Sequence, residues 1–231
     1  MATIYTAVKS KEYDEGLPTE ERTLKKTLLK TIGSVQGKTI LDVGCGAGKY
    51  CIILAKKNAQ VIGVDISANQ IHIAKYKNNH RNARYYSGDA RTLDFVKSRS
   101  IDIGLMTFVI PDVSTSNKLA QIIHEVHRVM KSNGRLLLAV LHPFYLLNNT
   151  ASSADYFDFK NYFKEGSRYT ATAKLYNGKT MQFDETHYSL TEVSRLLLKN
   201  NFRIRRLIET PTAREIGIDK PIYLIIEAEP R

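Results

Sequence analysis

Three glycines at alternate positions, Gly44, Gly46 and Gly48, follow an apolar run and precede a helical pattern beginning near Lys49. An acid, Asp42, stands just before them, and a second, Asp65, follows Gly44 by about 20 positions. Glycines so spaced let a backbone turn tightly and approach a ligand with no Cβ in the way, and the next helix offers N–H groups to a polar or anionic group. Asp65, at the end of Val61-Ile62-Gly63-Val64, is placed to accept hydrogen bonds from ribose hydroxyls. The dinucleotide fingerprint requires a third glycine where this chain has Lys49, and a phosphate-cradling loop requires Ser or Thr where it has Tyr50. Asp42 would repel a pyrophosphate and suits an ammonium group. These residues together describe a site for an adenosine joined to an amino acid.

A sheet must hold them. Leu24, Leu28, Leu29 and Ile32 recur at helical spacing, with a cap near Thr19 and a stop at Gly33, giving an N-terminal helical cap over 1–33. Thr39 to Val43, Val61 to Val64, Ala83 to Tyr86, Ile101 to Val109 and Arg135 to Leu141 read as strands alternating with helices, the pattern of a parallel sheet. After His142-Pro143 an insertion spans 143–188 and contains a hairpin, Tyr169 to Tyr176 and Lys179 to Phe183, joined by a tight Asn177-Gly178 turn. Ser189 caps a helix through Leu198, with Glu192 completing a capping box, and Phe202 to Ile208 and Ile222 to Ala228 close the sheet by antiparallel pairing. The expected architecture is α/β: one domain over 1–231, a Rossmann-like seven-stranded mixed sheet with helices on both faces, and the hairpin insertion as a lid.

Composition agrees with a folded, soluble chain. Of 231 residues, 43% are hydrophobic and 25% charged, which excludes disordered and fibrous classes. Two cysteines, Cys45 and Cys51, are too few for a disulfide scaffold and are expected as free thiols. Met1 to Leu17 lacks the apolar core of a signal peptide, and the longest apolar run, Leu136 to Leu141, is far below the roughly 20 residues of a membrane-crossing helix. A cytoplasmic location without membrane contact is expected, as a monomer or homodimer. A net charge of +11 would suit a polyanion, but no aromatic-rich basic RNA-reading motif accompanies it.

Leu41-Asp42-Val43-Gly44-Cys45-Gly46-Ala47-Gly48 resembles the first motif of class I S-adenosylmethionine-dependent methyltransferases, and Gly88-Asp89-Ala90 resembles a later one. The resemblance covers Lys38 to Leu141 and continues more loosely to the C-terminus. It implies S-adenosyl-L-methionine as cofactor and S-adenosyl-L-homocysteine as product. By that resemblance Asp42 and the backbone of Gly44, Cys45, Gly46 and Gly48 hold the methionine end, and Asp65 holds both ribose hydroxyls. Ile66 then packs on the adenine, Asp89 takes its amino group, and the Ala90 backbone takes a ring nitrogen. Thr107-Phe108-Val109 faces the sulfonium. The tail from Phe183 to Arg206 looks like that of small-molecule methyltransferases with an insertion after the fifth strand. The fourth-strand segment Thr107-Phe108-Val109-Ile110 is unlike the Pro-Pro-aromatic motif of enzymes acting on base amino groups.

The acceptor is therefore expected to be a small organic molecule, methylated on oxygen, nitrogen or carbon, with an RNA substrate docked on the basic surface as the alternative. A general base for such a transfer is most often histidine. His142, at the carboxyl edge of the fifth strand, is the first candidate, His187 the second and Asp112 the third. His124 and His127 are three apart on a helix without further ligands, so no metal is expected. Tyr13 and Tyr5 from the N-terminal segment, and Tyr145, Tyr156, Phe157, Phe159, Tyr162, Phe163 and the terminal Tyr188 from the insertion, are expected to line the acceptor pocket.

Overall fold

The computed structural model describes residues 23–143, 159–174, 178–212 and 219–231. Seven strands form one sheet: β1 (Thr39–Val43), β2 (Gln60–Asp65), β3 (Ala83–Ser87), β4 (Ile101–Thr107), β5 (Met130–Leu141), β8 (Phe202–Glu209) and β9 (Tyr223–Pro230). Their order is β3-β2-β1-β4-β5-β9-β8, and β6 (Arg168–Lys174) pairs with β7 (Thr180–Thr186) as a separate hairpin. The first five strands of that order run parallel, and β9 is antiparallel to both β5 and β8. The expected seven-stranded mixed sheet is thus the one observed.

Both faces of the sheet are covered, and for this reason its strands read as continuous apolar runs. Leu41 and Val43 join one core with Leu136, Leu138, Leu224 and Ile226, against Leu119 and Ile123 of α4 (Ser116–Val129) and Val193 and Leu197 of α5 (Leu190–Lys199). Ile40, Leu137, Ala139 and Ile225 face the other side. There they meet Leu28 and Ile32 of α1 (Lys25–Ile32), Leu54 of α2 (Lys49–Ala55) and Ile71 of α3 (Ala68–Lys77). The strand order reverses between β1 and β4, both central, so a crevice opens outside their carboxyl ends, where open α/β sheets take ligands.

Four local expectations need correction. β4 stops at Thr107 rather than Val109, because Phe108 turns into the left-handed region at φ 58°, its ring edge resting on Tyr223 at a centroid distance of 5.3 Å. β5 starts at Met130, five residues early, since Met130 pairs with Ile101 before a register shift across the polar Lys131 to Gly134 stretch. In the hairpin Lys174 faces Thr180, whereas the expected register, with Tyr176 opposite Lys179, would set it opposite Met181; Asn177 lies outside the described residues. The capping box at Ser189 is half formed. Ser189 Oγ accepts from the Glu192 N–H at 3.1 Å, but the Glu192 carboxylate pairs with Arg195, and Glu165 accepts from both Ser189 N–H and Oγ–H.

Glu165 thereby ties the insertion to α5. Replacing Ser189 by Ala removes a helix cap and leaves Glu165 without its hydroxyl donor, and should cost about 1–2 kcal/mol in urea or thermal unfolding. An unchanged midpoint would contradict this. The expected cap at Thr19 lies outside the described residues.

Candidate active site

The loop after β1 is shaped from outside. Gly44 has φ 67°, and a Cβ there would lie 2.5 Å from Val109 Cγ2, so the loop and the end of β4 touch at a point that admits only glycine. Gly48 has φ 80° and lies against the Tyr85 ring, 2.7 Å from where its Cβ would be. Tyr85 Oη donates to the Asn78 carbonyl at 2.8 Å, and Asn78 Nδ2 donates to the Ala47 carbonyl at 2.7 Å, so β3 and the end of α3 brace the loop. No local pattern marks Asn78 or Tyr85 for this role.

The loop amides differ from expectation. Gly44 and Cys45 N–H both donate to the Val64 carbonyl, Gly48 N–H donates to the Cys45 carbonyl, and Gly46 N–H donates to Asp65 Oδ2 at 2.9 Å. These four N–H groups hold the loop's shape rather than facing a ligand. Asp65 accepts the Ser67 N–H through Oδ1 at 2.8 Å as well, so one carboxylate fixes both the loop and the start of α3, where Ser67 Oγ caps Gln70 N–H. Burial pushes the Asp65 carboxyl up from its ordinary range, and the two backbone donors oppose that shift.

Asp42 is 2% exposed, and its Oδ2 accepts from the Cys51 thiol at 3.2 Å. Burial pushes its carboxyl up to about 7, opposed by the thiol and reinforced by the negative charge of Asp65. Cys45 and Cys51 are free thiols whose sulfurs both pack over Gly63. The folded protein holds the Asp42 proton more tightly than the unfolded chain, whose aspartates titrate near about 3.9. This group therefore weakens the fold progressively as pH rises from about 4 to about 7, with the full cost present above that window. Asp42→Asn should flatten this dependence: melts from about pH 5 to 8 should show the variant losing less stability than the parent. Parallel curves would contradict the assignment.

Beside Asp65, Ile66 is 61% exposed, an apolar side chain facing outward where the resemblance puts an adenine. Asp89, expected on the same ring, instead receives the Arg91 N–H, Nε and Nη2, and that hydrogen bonding holds its carboxyl below its usual range. Ala90 is partly buried against the core, and Thr107 ends β4 opposite Ala139. Gln70, which the sequence reading passed over, is 2% exposed, and its Oε1 lies 3.8 Å from a Cβ built on Gly46.

Across the end of β4 from the glycine loop lies a small cleft, with a cavity volume of about 40 Å³, that opens to solvent. Ile110 and Pro111 of the turn after β4, Val140, Leu141 and Pro143 at the end of β5, and Leu224 of β9 form its floor. Tyr169 and Thr186 of the hairpin and His187, Tyr188, Leu190 and Val193 leading into α5 form its wall. No Lys, Arg, Asp or Glu lines it among the described residues. The hydroxyls of its wall have protein partners: Tyr188 donates to the Val113 carbonyl at 2.7 Å, Tyr169 donates to Glu185, and Thr186 accepts from Arg168 at 3.0 Å.

The two candidate bases part company here. His187 lines the cleft and is 3% exposed, with Nε2 2.8 Å from the Tyr162 carbonyl. A carbonyl only accepts, so Nε2 carries the hydrogen and the neutral ring keeps its lone pair on Nδ1. Burial lowers the His187 pKa, against the raising effects of the Tyr162 carbonyl and the Glu165 charge. The lining includes Pro143 but not His142, whose Nε2 lies 3.1 Å from Glu209 Oε1 and whose N–H donates to the Ile222 carbonyl. Asp112 sits in the 3-10 turn Ile110–Asp112. Tyr162 stacks edge-on with Phe163, which is 77% exposed, and Tyr5, Tyr13, Tyr145, Tyr156 and Phe157 lie outside the described residues. His127 packs edge-on against Phe202 at a centroid distance of 5.2 Å, away from the cleft lining.

Comparison with known proteins fits this arrangement. Residues 41–138 match the family described as "Methyltransferase domain". The chain is 31% identical over 125 residues to demethylmenaquinone methyltransferase of Lactococcus lactis, covering 50% of this chain and 47% of that one. It is 29% identical over 130 residues to 2-phytyl-1,4-naphtoquinone methyltransferase of a Nostoc species, covering 53% and 55%. The chain thus spans about half the length of these curated relatives. A solved Listeria monocytogenes protein, described as a candidate S-adenosylmethionine-dependent methyltransferase, superposes with a TM-score of 0.67 at 26% identity over 89% of this chain and 96% of that one. Sheet order, glycine loop and flanking acids agree with these likenesses: residues 41–138 match a methyltransferase domain, and the fold is similar to that of S-adenosylmethionine-dependent methyltransferases.

Proposed function

We propose that the protein transfers a methyl group from S-adenosylmethionine to an uncharged, mainly apolar small molecule held in the cleft beside β4. The observation that carries this reading is the adjacency of two unlike sites on one strand end: Val109 abuts Gly44 of the glycine loop, and the next residue, Ile110, lines the apolar cleft. The exposed Ile66 beside the Asp65 carboxylate suits a flat ring joined to a sugar, which is the shape of the cofactor's nucleoside half. Two of the relatives are named for quinone substrates, which are themselves uncharged rings.

The cofactor supplies an activated methyl on a positively charged sulfur. The protein's part is to align and to dry. Orienting two bound reactants lowers the barrier by up to about 7–11 kcal/mol, and the apolar cleft excludes the water that would compete for the methyl group. Phe108, held at positive φ between loop and cleft, sets where the two sites meet; such a conformation costs about 1–3 kcal/mol and persists where surrounding contacts enforce it. His187, neutral and on the cleft wall, removes the proton from an ionisable acceptor. The hairpin closes the cleft as a lid.

Labelled methyl from S-adenosylmethionine, supplied with extract divided into total RNA and small metabolites, tests the reading. Label should enter the organic-soluble part of the metabolite fraction, and mass spectrometry then identifies the methylated atom. Label confined to RNA would replace this reading with docking on the basic surface.

A further inference from the structure

A buried amide stands unpaired at the edge of the cofactor loop. Gln70, in the first turn of α3, is 2% exposed, yet neither Nε2 nor Oε1 of its carboxamide has a hydrogen-bond partner. Leaving a buried amide unsatisfied forfeits its hydration with nothing in return, so an unpaired amide in a native fold calls for a ligand or a water. Its position narrows the choice. Oε1 lies 3.8 Å from the Cβ that Gly46 lacks, and the same residue's N–H is bound to Asp65. The backbone N–H of Gln70 is fixed by Ser67 Oγ, so its side chain projects from a capped helix start and is not frayed chain.

Most of the loop groups around it are already engaged. Gly44, Cys45, Gly46 and Gly48 N–H all donate within the protein, Asp42 is sealed against the Cys51 thiol, and Asp65 offers acceptor oxygens only. An amino-acid end brings both a carboxylate and an ammonium, and needs a donor and an acceptor side by side. A primary carboxamide is that pair: Nε2–H toward the carboxylate, Oε1 toward the ammonium. We propose that the Gln70 carboxamide, sealed beside Gly46 without a protein partner, binds the zwitterionic amino-acid end of the cofactor. This inference rests on the S-adenosylmethionine reading above.

Calorimetric titration of the full chain with S-adenosylhomocysteine and with 5′-methylthioadenosine, which lacks the amino-acid end, separates the possibilities. Gln70→Met should bind S-adenosylhomocysteine about tenfold more weakly while its affinity for methylthioadenosine stays within about twofold of the parent. The ligand-free variant should melt no lower than the parent, because an unsatisfied buried amide has been replaced by an apolar chain of similar length; Gln70→Leu provides the same comparison should the Met variant express poorly. Unchanged affinity for S-adenosylhomocysteine would mean that water alone serves the amide and would overturn the proposal. Equal loss for both ligands would overturn it too, placing Gln70 on the nucleoside half or in the loop's framework. A parent protein that binds neither ligand would remove the cofactor reading itself, and this inference with it.

Discussion

Asp65→Ala is expected to weaken S-adenosylhomocysteine binding by about 100-fold or more. The carboxylate accepts from Gly46 N–H at 2.9 Å and Ser67 N–H at 2.8 Å, so its loss releases the middle of the glycine loop and the start of α3 together with the ribose contacts proposed for it. Hydrogen bonds to a charged group are worth about 1.5–3 kcal/mol each, and loss of one or two accounts for that factor. Asp89→Ala provides the contrast. Its carboxylate is held by Arg91 and is about a third exposed, so its removal should change cofactor affinity by only about a few-fold. Calorimetry on both variants, with thermal melts to confirm that each is folded, checks the pair. Equal, small effects would remove Asp65 from the centre of the site.

The second large effect belongs to His187. Removing a general base lowers turnover by about 10²- to 10⁴-fold, and His187→Ala should fall in that range with cofactor affinity unchanged. His142→Gln should keep turnover within about tenfold of the parent, because its ring is paired with Glu209 and takes no part in the cleft lining. The pH profile distinguishes a base from a wall residue. A base works when neutral, and burial lowers the His187 pKa, so kcat/KM should persist on acidification past the ordinary histidine value of about 6.5 before falling. His187→Ala should lack that acid limb. An identical limb in the variant, or unaltered turnover, would exclude His187 as the base.

Much of this arrangement was legible in the sequence, for identifiable reasons. Thr39–Val43 was readable to the residue because a strand covered on both faces is mostly apolar, here interrupted only by Thr39 at its start and the buried Asp42, and ends abruptly at its glycines. Ser67 and Ser189 announce helix starts because a short hydroxyl side chain is the best available partner for an orphan N–H. The failures cluster where tertiary contacts overrule local preference. Glu192 sits at the capping-box position, but Arg195 offers it a charge, and Glu165, 24 residues away in sequence, takes the place it vacates. Lys131 to Gly134 looks like a loop and becomes the bulged start of β5 because Met130 buries opposite Ile101. Nothing in a single sequence signals that Gln70 is buried beside Gly46, or that Asn78 and Tyr85 hold the loop, since each depends on how α3 and β3 pack around it. By sequence His142, directly after the fifth strand, ranks ahead of His187. The fold separates them, sending one toward Glu209 and the other into the cleft wall.

The most direct test of the account is a crystal structure of the protein with S-adenosylhomocysteine. The account predicts ribose hydroxyls on the Asp65 carboxylate, adenine against Ile66, and the sulfur at Thr107 to Val109, facing the apolar cleft that His187 walls. A sulfur turned away from that cleft, or a ribose remote from Asp65, would contradict it.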